Sequence, residues 1–372
     1  MIYLDYAAST PLHPTVLERM QEAFSKQYAN PSNGDSLLSH ELLQQISDAS
    51  ENILQAFGLT DHQVLFTSGA TESINTILKG LVNHPDNTKN KIITSCTEHS
   101  AVIEVCKELE SYGVEVVFLG NNQNGEIDLY ELASLIDDQT LAVVLMGVNN
   151  ETGLVHPVEQ IADIAHEKGT LFLCDTTQTV GKVPIDYTKL DAFTISAHKI
   201  YGPKGIGALI TRRNLRYAPL IHGGGQQGGM RAGTLPFPLI VALETAVVFV
   251  QDQIDTHYQE VARLQQQMEQ GLSEIADIEV IAEGAKRSPY VSNILFPNID
   301  IQGFKQQLSP SISFSSGSAC KARIVSASRV IQALHLSTPN PGNTLRFSYG
   351  SPTTHEEIES ALEVIKEAFK KI

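Results

Sequence analysis

Lys199 stands three residues beyond the end of an apolar stretch, "AFTIS" (192–196), that is typical of a buried strand, and His198 precedes the lysine. A lysine at the end of a buried strand loses solvation free energy unless it is hydrated, paired or used chemically. A hydrated loop lysine is the simplest interpretation of this residue taken alone. A desolvated lysine amine can also form a Schiff base with an aldehyde. The polar residues elsewhere in the chain decide between these two interpretations.

A second stretch, "FTSGATES" (66–73), changes from strand-like to helical residues at 68–71, which include Ala70 and Thr71. Free backbone N–H groups and the positive end of the helix dipole make such a junction a binding site for phosphate. The alternative is an ordinary helix N-cap with Glu72 in the first turn. Taken by itself, the stretch favours the ordinary cap.

Asp175 ends a third apolar stretch, "LFLCD" (171–175). In open α/β sheets, ligands bind beyond the carboxyl ends of the strands. A carboxylate there is either structural or paired with a cation, such as the protonated nitrogen of a heterocycle. A phosphate site, a lysine amine and such a carboxylate together match pyridoxal phosphate, whose enzymes use a lysine Schiff base and an acidic partner for the ring nitrogen.

Two further residues have types that could act in such a site. His99, in "CTEHSAV", follows another apolar run; a lone histidine is commonly structural, but beside a pyridine ring it could stack and shuttle protons at a pKa near ~6.5. Cys320 follows the small residues 315–319 and precedes Lys321 and Arg323. Polar and cationic neighbours favour the thiolate, which is the reactive form of cysteine.

These residues need elements that bring them together, and the chain between residues 63 and 211 shows a regular pattern. Apolar, β-rich runs alternate there with helical patterns; the runs are "QVLF", "KIITS", "VEVVFL", "LAVVLMGV", "TLFLCD", "AFTIS" and "GALIT". Near-continuous apolar strands separated by helices indicate a mainly parallel, seven-stranded sheet covered on both faces. The predicted fold class is therefore α/β.

A long helical pattern, from about residue 239 to 275, follows this region. The strand-like runs "VSNILFP", "SISFS" and "TLRFSYG" come next, and "HEEIESALEVIKEAFKK" predicts a last helix. These segments predict a smaller α/β domain at the C-terminal end. We expect a large cofactor-binding domain over 13–255, and a small domain formed by 1–12 and 256–372 that carries Cys320.

Composition limits the partners and the compartment. The chain has 372 residues with 42 acidic and 26 basic side chains, a formal net charge of −16, which disfavours general binding to nucleic acid or anionic membranes. No apolar run approaches the roughly 20 residues that span a bilayer, and the N-terminus has no signal-peptide pattern. The four cysteines form no C-x-x-C pair, so no metal site is expected. We expect a cytoplasmic protein with reduced thiols.

Taken together, these stretches resemble the cysteine desulfurases of the NifS/IscS family. The matching motifs occur in the family's order from Tyr3 to beyond Arg346: "YLDYAAST", "FTSGATES", "TEHSAV", "VNNETG", "DTTQTVGK", "HKIYGPKGIGAL", "HGGGQQGGMRAGT" and "SSGSAC". One such motif would be weak, whereas eight in order are specific. The resemblance implies the type I pyridoxal-phosphate-dependent transferase fold, pyridoxal phosphate as cofactor, and a homodimer.

The resemblance also implies a role for each matched residue. The residues that would bind the cofactor are Lys199 (Schiff base), Asp175 (pyridine nitrogen), Gln178 (ring oxygen), His99 (ring stacking and proton transfer), Asn150, Ala70, Thr71, Ser196 and His198 (the last four at the phosphate), and Thr234 (the phosphate in the other subunit). Asn150 and Arg346 would orient the amino-acid substrate, Arg346 through a bidentate contact with its carboxylate. Cys320 would accept the sulfur.

The implied reaction converts L-cysteine to L-alanine and leaves the sulfur on Cys320 as a persulfide, from which a sulfur-acceptor protein collects it. Iron–sulfur cluster assembly, tRNA thiolation and DNA modification all stay open as destinations. Two features differ from the family: Lys-Ala-Arg follows Cys320 where Thr-Ser is common, and the chain ends soon after its last predicted helix, where well-known members carry a tail that docks the iron–sulfur scaffold. The alternatives are another type I pyridoxal-phosphate enzyme, such as an aminotransferase or selenocysteine lyase, and a non-catalytic sulfur carrier.

Overall fold

Strands and helices alternate along most of the chain in a computed structural model that describes residues 1–316, 327–336, 338 and 340–371. Cys320 lies outside the described residues. The strands are β1 (Ile2–Tyr3), β2 (His62–Thr67), β3 (Lys91–Ser95), β4 (Glu115–Leu119), β5 (Thr140–Met146), β6 (Leu171–Asp175), β7 (Ala192–Ser196), β8 (Gly207–Arg212), β9 (Glu279–Val280), β10 (Val291–Leu295), β11 (Ile312–Ser313), β12 (Ser315–Ser316) and β13 (Thr344–Ser348). The helices are α1 (Pro14–Lys26), α2 (Leu37–Ala56), α3 (Ala70–Val82), α4 (Ser100–Ser111), α5 (Leu129–Leu135), α6 (Val158–Glu167), α7 (Phe237–Asp252), α8 (Ile254–Ile275), α9 (Ile301–Leu308), α10 (Arg329–Ala333) and α11 (His355–Phe369).

The central sheet has seven strands in the order β2-β8-β7-β6-β5-β3-β4. Strands β4, β3, β5, β6 and β7 pair in parallel, and β8 pairs antiparallel with both β7 and β2. The predicted mainly parallel, seven-stranded α/β sheet is therefore confirmed. Since only β8 runs in the opposite direction, the carboxyl ends of β2, β3, β5, β6 and β7 share one edge of the sheet. Every strand-end residue singled out in the sequence follows one of these five strands.

Hydrophobic clusters cover both faces of this sheet. Every residue of β5 is buried, which explains why its sequence, "TLAVVLM", shows no polar alternation. One cluster joins one face to α1, α2, α6 and α7, and a second cluster joins the other face to α3 and α4. With both faces covered, polar groups gather at the strand ends, where loops expose backbone and side chains.

The long helical pattern of the sequence is a pair of helices, α7 and α8, that meet at Gln253 with a bend of 72°. Helix α7 packs in the cluster of the central sheet, whereas α8 packs in a separate cluster with β10, β13 and α11. This change of partner supports a boundary near residue 255, and the division into 13–255 and the remainder stays a proposal. Within the described ranges, no single helix is long and apolar enough to cross a membrane, although the bent pair passes by length and composition.

The C-terminal part contains a four-stranded sheet in the order β12-β13-β10-β9. The stretch "SISFS", predicted as one strand, contributes to two short strands, β11 and β12, which are separated by Phe314. The first, β11, pairs in parallel with β1 at the N-terminus, and the second, β12, pairs antiparallel with β13. The strand divides because its two halves have partners in different sheets, and this pairing attaches the first residues of the chain to the C-terminal part.

Candidate active site

A pocket of about 490 Å³ opens at the carboxyl edge of the central sheet. Most of the predicted site residues lie around it. Those that line it are Ala70, Thr71, His99, Asn150, Asp175, Gln178, Ser196, His198, Lys199 and Arg346. Thr234 is exposed and does not line this pocket, and Cys320 lies outside the described residues. These residues come from the first turn of α3, the loops after β3 and β5, the end of β6 with the turn that follows it, the turn after β7, and strand β13.

The junction between β2 and α3 forms a cradle of backbone amides. Gly69 precedes the helix with a φ of 151°, and the first residues of α3 line the pocket. The backbone of Gly207 on β8 approaches so closely that a Cβ there would lie 2.6 Å from the Cα of Gly69. Ser196 Oγ lies 3.6 Å from the position that a Cβ on Gly69 would occupy. An unhindered helix N-terminus with a hydroxyl beside it fits a phosphate group.

The acidic residue in this first turn, Glu72, is neutralised within the protein. Its Oε2 accepts a hydrogen bond of 2.8 Å from the Ser68 amide, and its Oε1 accepts one of 2.9 Å from Arg231 Nε. Burial alone would raise the pKa of Glu72, but the hydrogen bonds from Arg231 and Ser68 hold it below its ordinary value. The arginine therefore offsets a charge that would repel a phosphate. The sequence did not indicate this pair, which joins residues that are far apart in the chain.

Asp175 ends β6 with one carboxylate oxygen engaged. Its Oδ1 accepts hydrogen bonds from the Thr177 amide at 3.0 Å and from Thr194 Oγ1 at 3.1 Å. Within the described contacts, Oδ2 has no hydrogen bond. A buried carboxylate with one oxygen fixed and the other oxygen unengaged suits a protonated ring nitrogen as its partner.

A second acid, Glu98, lies behind Asp175 and was missed by the sequence reasoning. It is fully buried, and its Oε1 accepts a hydrogen bond of 2.8 Å from the Met146 amide. Burial raises the pKa of Glu98 well above its ordinary value, and the charge of Asp175 raises it further. Burial therefore shifts Glu98 towards its protonated form.

Lys199 directs its ammonium group at the N-terminal segment. Its Nζ donates to the carbonyl oxygens of Ala7 and Ala8, both at 2.7 Å. Burial and, secondly, the charge of Arg346 lower the pKa of Lys199 to about 8. The neutral amine, which is the nucleophile, is thus accessible at a pH well below the ordinary lysine pKa.

The two histidines of the pocket are held differently. His99 is the N-cap of α4, and its Nδ1 accepts a hydrogen bond of 3.1 Å from the Ala101 amide, so the neutral ring carries its proton on Nε2. Burial, together with the charges of Lys199 and other lysines, lowers the pKa of His198 to about 4. Among the described residues, the buried Nδ1 atom of His198 has no hydrogen-bond partner, which suits a group that binds a ligand.

Arg346, on β13, reaches the pocket from the C-terminal sheet. Its Nη2 donates to Asp5 Oδ1 and to Ser315 Oγ, each at 2.8 Å, and its Nη1 donates to the Asn150 carbonyl at 2.7 Å. Its Nε is buried and has no hydrogen-bond partner in the part of the chain that the structure describes. The guanidinium is therefore held in a fixed position with donor capacity left for a substrate carboxylate. Asp5, its ion-pair partner, was not singled out in the sequence.

These observations form one donor set that fits pyridoxal phosphate. The α3 cradle with Ser196 and the unpartnered His198 suits the phosphate, Asp175 suits the ring nitrogen, and Lys199 is an amine of lowered pKa beside them. The fit rests on the type of each group and on its unengaged atoms.

Comparison with known proteins agrees with this site. The family described as aminotransferase class-V matches residues 2–361. A protein named cysteine desulfurase IscS from Rickettsia bellii is 39% identical over all of this chain and 92% of its own length. A solved structure of a NifS-like protein superposes with a TM-score of 0.92 at 31% identity, and it covers 100% of both chains. A structure titled SspA in complex with cysteine is 34% identical over 95% of this chain and 100% of its own, with a TM-score of 0.83.

The family assigned from eight sequence motifs is confirmed by these matches, because they extend over the whole chain and share its type I fold. The chain belongs to the class-V aminotransferase family, within the group of NifS/IscS-like cysteine desulfurases.

Proposed function

We propose that this protein is a pyridoxal-phosphate-dependent cysteine desulfurase that converts L-cysteine to L-alanine and passes the sulfur to Cys320. One observation carries the proposal: a phosphate cradle, a carboxylate and a lysine of lowered pKa at the carboxyl edge of the central sheet share one pocket with an arginine from the C-terminal sheet. The full-length similarity to proteins named cysteine desulfurase selects this reaction among those of the class-V family.

The cofactor would be held by residues of the large sheet. Lys199 would bind it covalently, Asp175 would pair with its ring nitrogen, and Gln178 would contact its ring oxygen. Ala70, Thr71, Ser196 and His198 would hold the phosphate, and His99 would lie against the ring. The bound cofactor supplies an electron sink for the pair released at the α-carbon of the substrate. His99 would carry protons through Nε2, because its Nδ1 is engaged by the helix.

The substrate would be oriented from the opposite wall. Arg346 would bind the substrate carboxylate through its guanidinium, and Asn150, whose backbone holds Arg346, would lie beside it. Because the pKa of His198 is lowered to about 4, this histidine is uncharged near neutral pH and does not compete with Arg346 for the substrate carboxylate. These contacts would hold the substrate in one orientation and so determine the direction in which its sulfur atom points.

Sulfur transfer is assigned to Cys320 on the sequence motif. The Cys320 thiolate attacks the substrate sulfur, an S–S bond forms, and the C–S bond of the substrate breaks. The former sulfur-bearing carbon keeps the electron pair and takes up a proton, so that it becomes the methyl group of alanine. The reactants, L-cysteine and the enzyme thiol, are thereby converted to L-alanine and the enzyme persulfide with no further oxidant or reductant. The acceptor would be a protein of unassigned pathway, and the need for a free thiolate favours the cytoplasm.

The product distribution tests the proposed reaction. We expect the holoenzyme with L-cysteine as sole substrate to form alanine and to yield one persulfide or sulfide sulfur for each alanine. An aminotransferase would form a keto acid and leave the cofactor in its amine form, and a sulfur carrier would form neither product. Either of those results would replace the desulfurase assignment.

The lowered pKa of Lys199 predicts the pH profile of cofactor attachment. Only the neutral amine attacks the aldehyde, so the rate of attachment to the apoenzyme should rise with pH up to about 8 and then level off. Stopped-flow absorbance at a series of pH values measures this rate. A rate that still climbs towards the ordinary lysine pKa of ~10.4 would contradict the assigned environment.

We also propose that two chains assemble into a homodimer. Large apolar side chains at the corner between α1 and α2 are exposed; we call Phe24, Tyr28, Leu37, Leu38 and Leu43 the corner patch. The loop that contains Thr234 adjoins this patch, since Gln226 Nε2 contacts Ser32 Oγ at 3.3 Å. An exposed apolar patch beside an exposed Thr234 is the arrangement expected if Thr234 serves the partner's pocket.

Charged side chains in the corner patch should separate the subunits. Leu37→Glu combined with Leu38→Glu is expected to sediment as a monomer and to bind pyridoxal phosphate more weakly, because the Thr234 contact is lost. Tyr130→Glu, at an equally exposed site on α5, is the matched control and should sediment like the wild type. A wild type that is monomeric and fully active would contradict the proposed dimer.

A further inference from the structure

Lys182 is a buried lysine whose ammonium group contacts Gln178, a residue of the proposed cofactor site. It follows β6 in a tight turn, and its side chain is buried. Gly181 adopts a φ of 66° in this turn. Another residue would not fit there, because its Cβ would lie 2.4 Å from Val250 Cβ. Lys182 Nζ donates a hydrogen bond of 2.7 Å to Gln178 Oε1. Among the described residues, no carboxylate lies within ion-pair distance of Lys182 Nζ.

The contacts of Gln178 determine which way its amide points. An ammonium group can only donate, so the atom that faces Lys182 must be the amide oxygen. On the other side, the amide nitrogen donates 2.8 Å to the Ala7 carbonyl, which can only accept. Both neighbours therefore select the same orientation. Since Gln178 lines the pocket, its second N–H is the hydrogen that remains for a ligand.

We infer that Lys182 is a positioning residue that holds Gln178 with a donor towards the pocket and places a positive charge behind it, so that the site favours the anionic form of the cofactor's ring oxygen. This inference rests on the proposed function, because it concerns the cofactor named there. Without Lys182, the Ala7 carbonyl alone would select this orientation and no positive charge would lie behind the amide, so the site would favour an anion less.

The electrostatic surroundings of Lys182 agree with this role. Burial and, after it, the charges of Lys199 and Arg346 lower the pKa of Lys182 to about 7. An anionic ligand in the pocket opposes these effects and favours the charged ammonium. The ammonium and the anion would therefore stabilise each other through the Gln178 amide. A purely structural lysine would keep the turn in place without altering the ligand's ionisation.

Lys182→Met tests the inference, since methionine keeps the length and apolar body of the side chain but removes the donor and the charge. With Lys182→Met, we expect the pKa of the bound cofactor, read from its visible absorbance against pH, to rise by about one unit or more. We also expect the affinity for pyridoxal phosphate to fall about tenfold. Lys189→Met, which removes a partly exposed lysine paired with Asp163, is the control and should change neither quantity.

A double-mutant cycle identifies the route through Gln178. Gln178→Leu should also raise the pKa of the bound cofactor, and the double variant should be little worse than the single ones, because the two residues act as one unit. Fully additive effects, or a cofactor pKa in Lys182→Met equal to that of the control, would overturn the inference. Should Lys182→Met not fold by circular dichroism, Lys182→Gln takes its place with the same expected direction. A wild type that binds no pyridoxal phosphate would instead contradict the proposed function.

Discussion

Lys199→Ala is expected to bind no cofactor covalently, and its rate of alanine formation should fall by more than about a thousandfold. Lys199 carries the amine at the strand-end turn, and this amine combines burial, a lowered pKa and a place in the pocket beside the phosphate cradle. Removing it abolishes both the attachment of the cofactor and the proton transfers that a lysine amine performs. Absorbance of the reconstituted variant and an assay for alanine measure the two losses.

The attachment point can be mapped in the wild type. Borohydride reduction of the holoenzyme followed by peptide mapping should place the cofactor on Lys199 alone. Lys182 and Lys204 are the informative competitors, because Lys182 is the other buried amine near Gln178 and Lys204 also lines the pocket. An adduct on either of them, or covalent cofactor in Lys199→Ala, would contradict the assignment.

Cys320→Ser is expected to take up L-cysteine, as seen in a changed absorbance of the bound cofactor, yet to release almost no alanine and to carry no persulfide. The other cysteines are poor substitutes for Cys320. Burial raises the pKa of the Cys106 thiol to about 12 and that of Cys174 well above its ordinary value. Burial also raises the pKa of Cys96, whose Sγ donates to Asn121 Oδ1 at 3.1 Å. Their thiolate fractions near pH 7 are therefore small.

Alkylation and a matched variant give the control. Iodoacetamide at neutral pH should modify Cys320 well before Cys96, Cys106 or Cys174, because the reaction consumes the thiolate. Cys96→Ser, which removes a half-buried thiol outside the pocket lining, should retain alanine formation. Full desulfurase activity in Cys320→Ser would defeat the assignment of the nucleophile.

The sequence predicted those parts of the site that depend on strand ends. Lys199, Asp175 and His99 each follow an apolar run, and parallel strands bring such ends to one edge, so their meeting in one pocket was expected from the pattern alone. The sheet itself followed from the same runs, since strands buried on both faces are apolar throughout.

Contacts between distant segments could not be predicted in this way. Asp5 pairs with Arg346 across 341 positions because β1 joins the C-terminal part, and no local pattern encodes that pairing. Lys182 and Glu98 resemble solvated loop residues in the sequence, since burial is a property of the folded chain. The division of "SISFS" into two strands likewise depends on partners that lie elsewhere in the chain.

The central claim is that Cys320 takes sulfur from L-cysteine, and one turnover followed by mass spectrometry tests it most directly. The holoenzyme is mixed with one equivalent of L-cysteine without reductant, quenched with an alkylating agent and digested. We predict one added sulfur atom on the Cys320 peptide, none on the peptides of Cys96, Cys106 or Cys174, and an equal amount of alanine. Alanine formed with no added sulfur on Cys320, or sulfur found on another cysteine, would contradict the account.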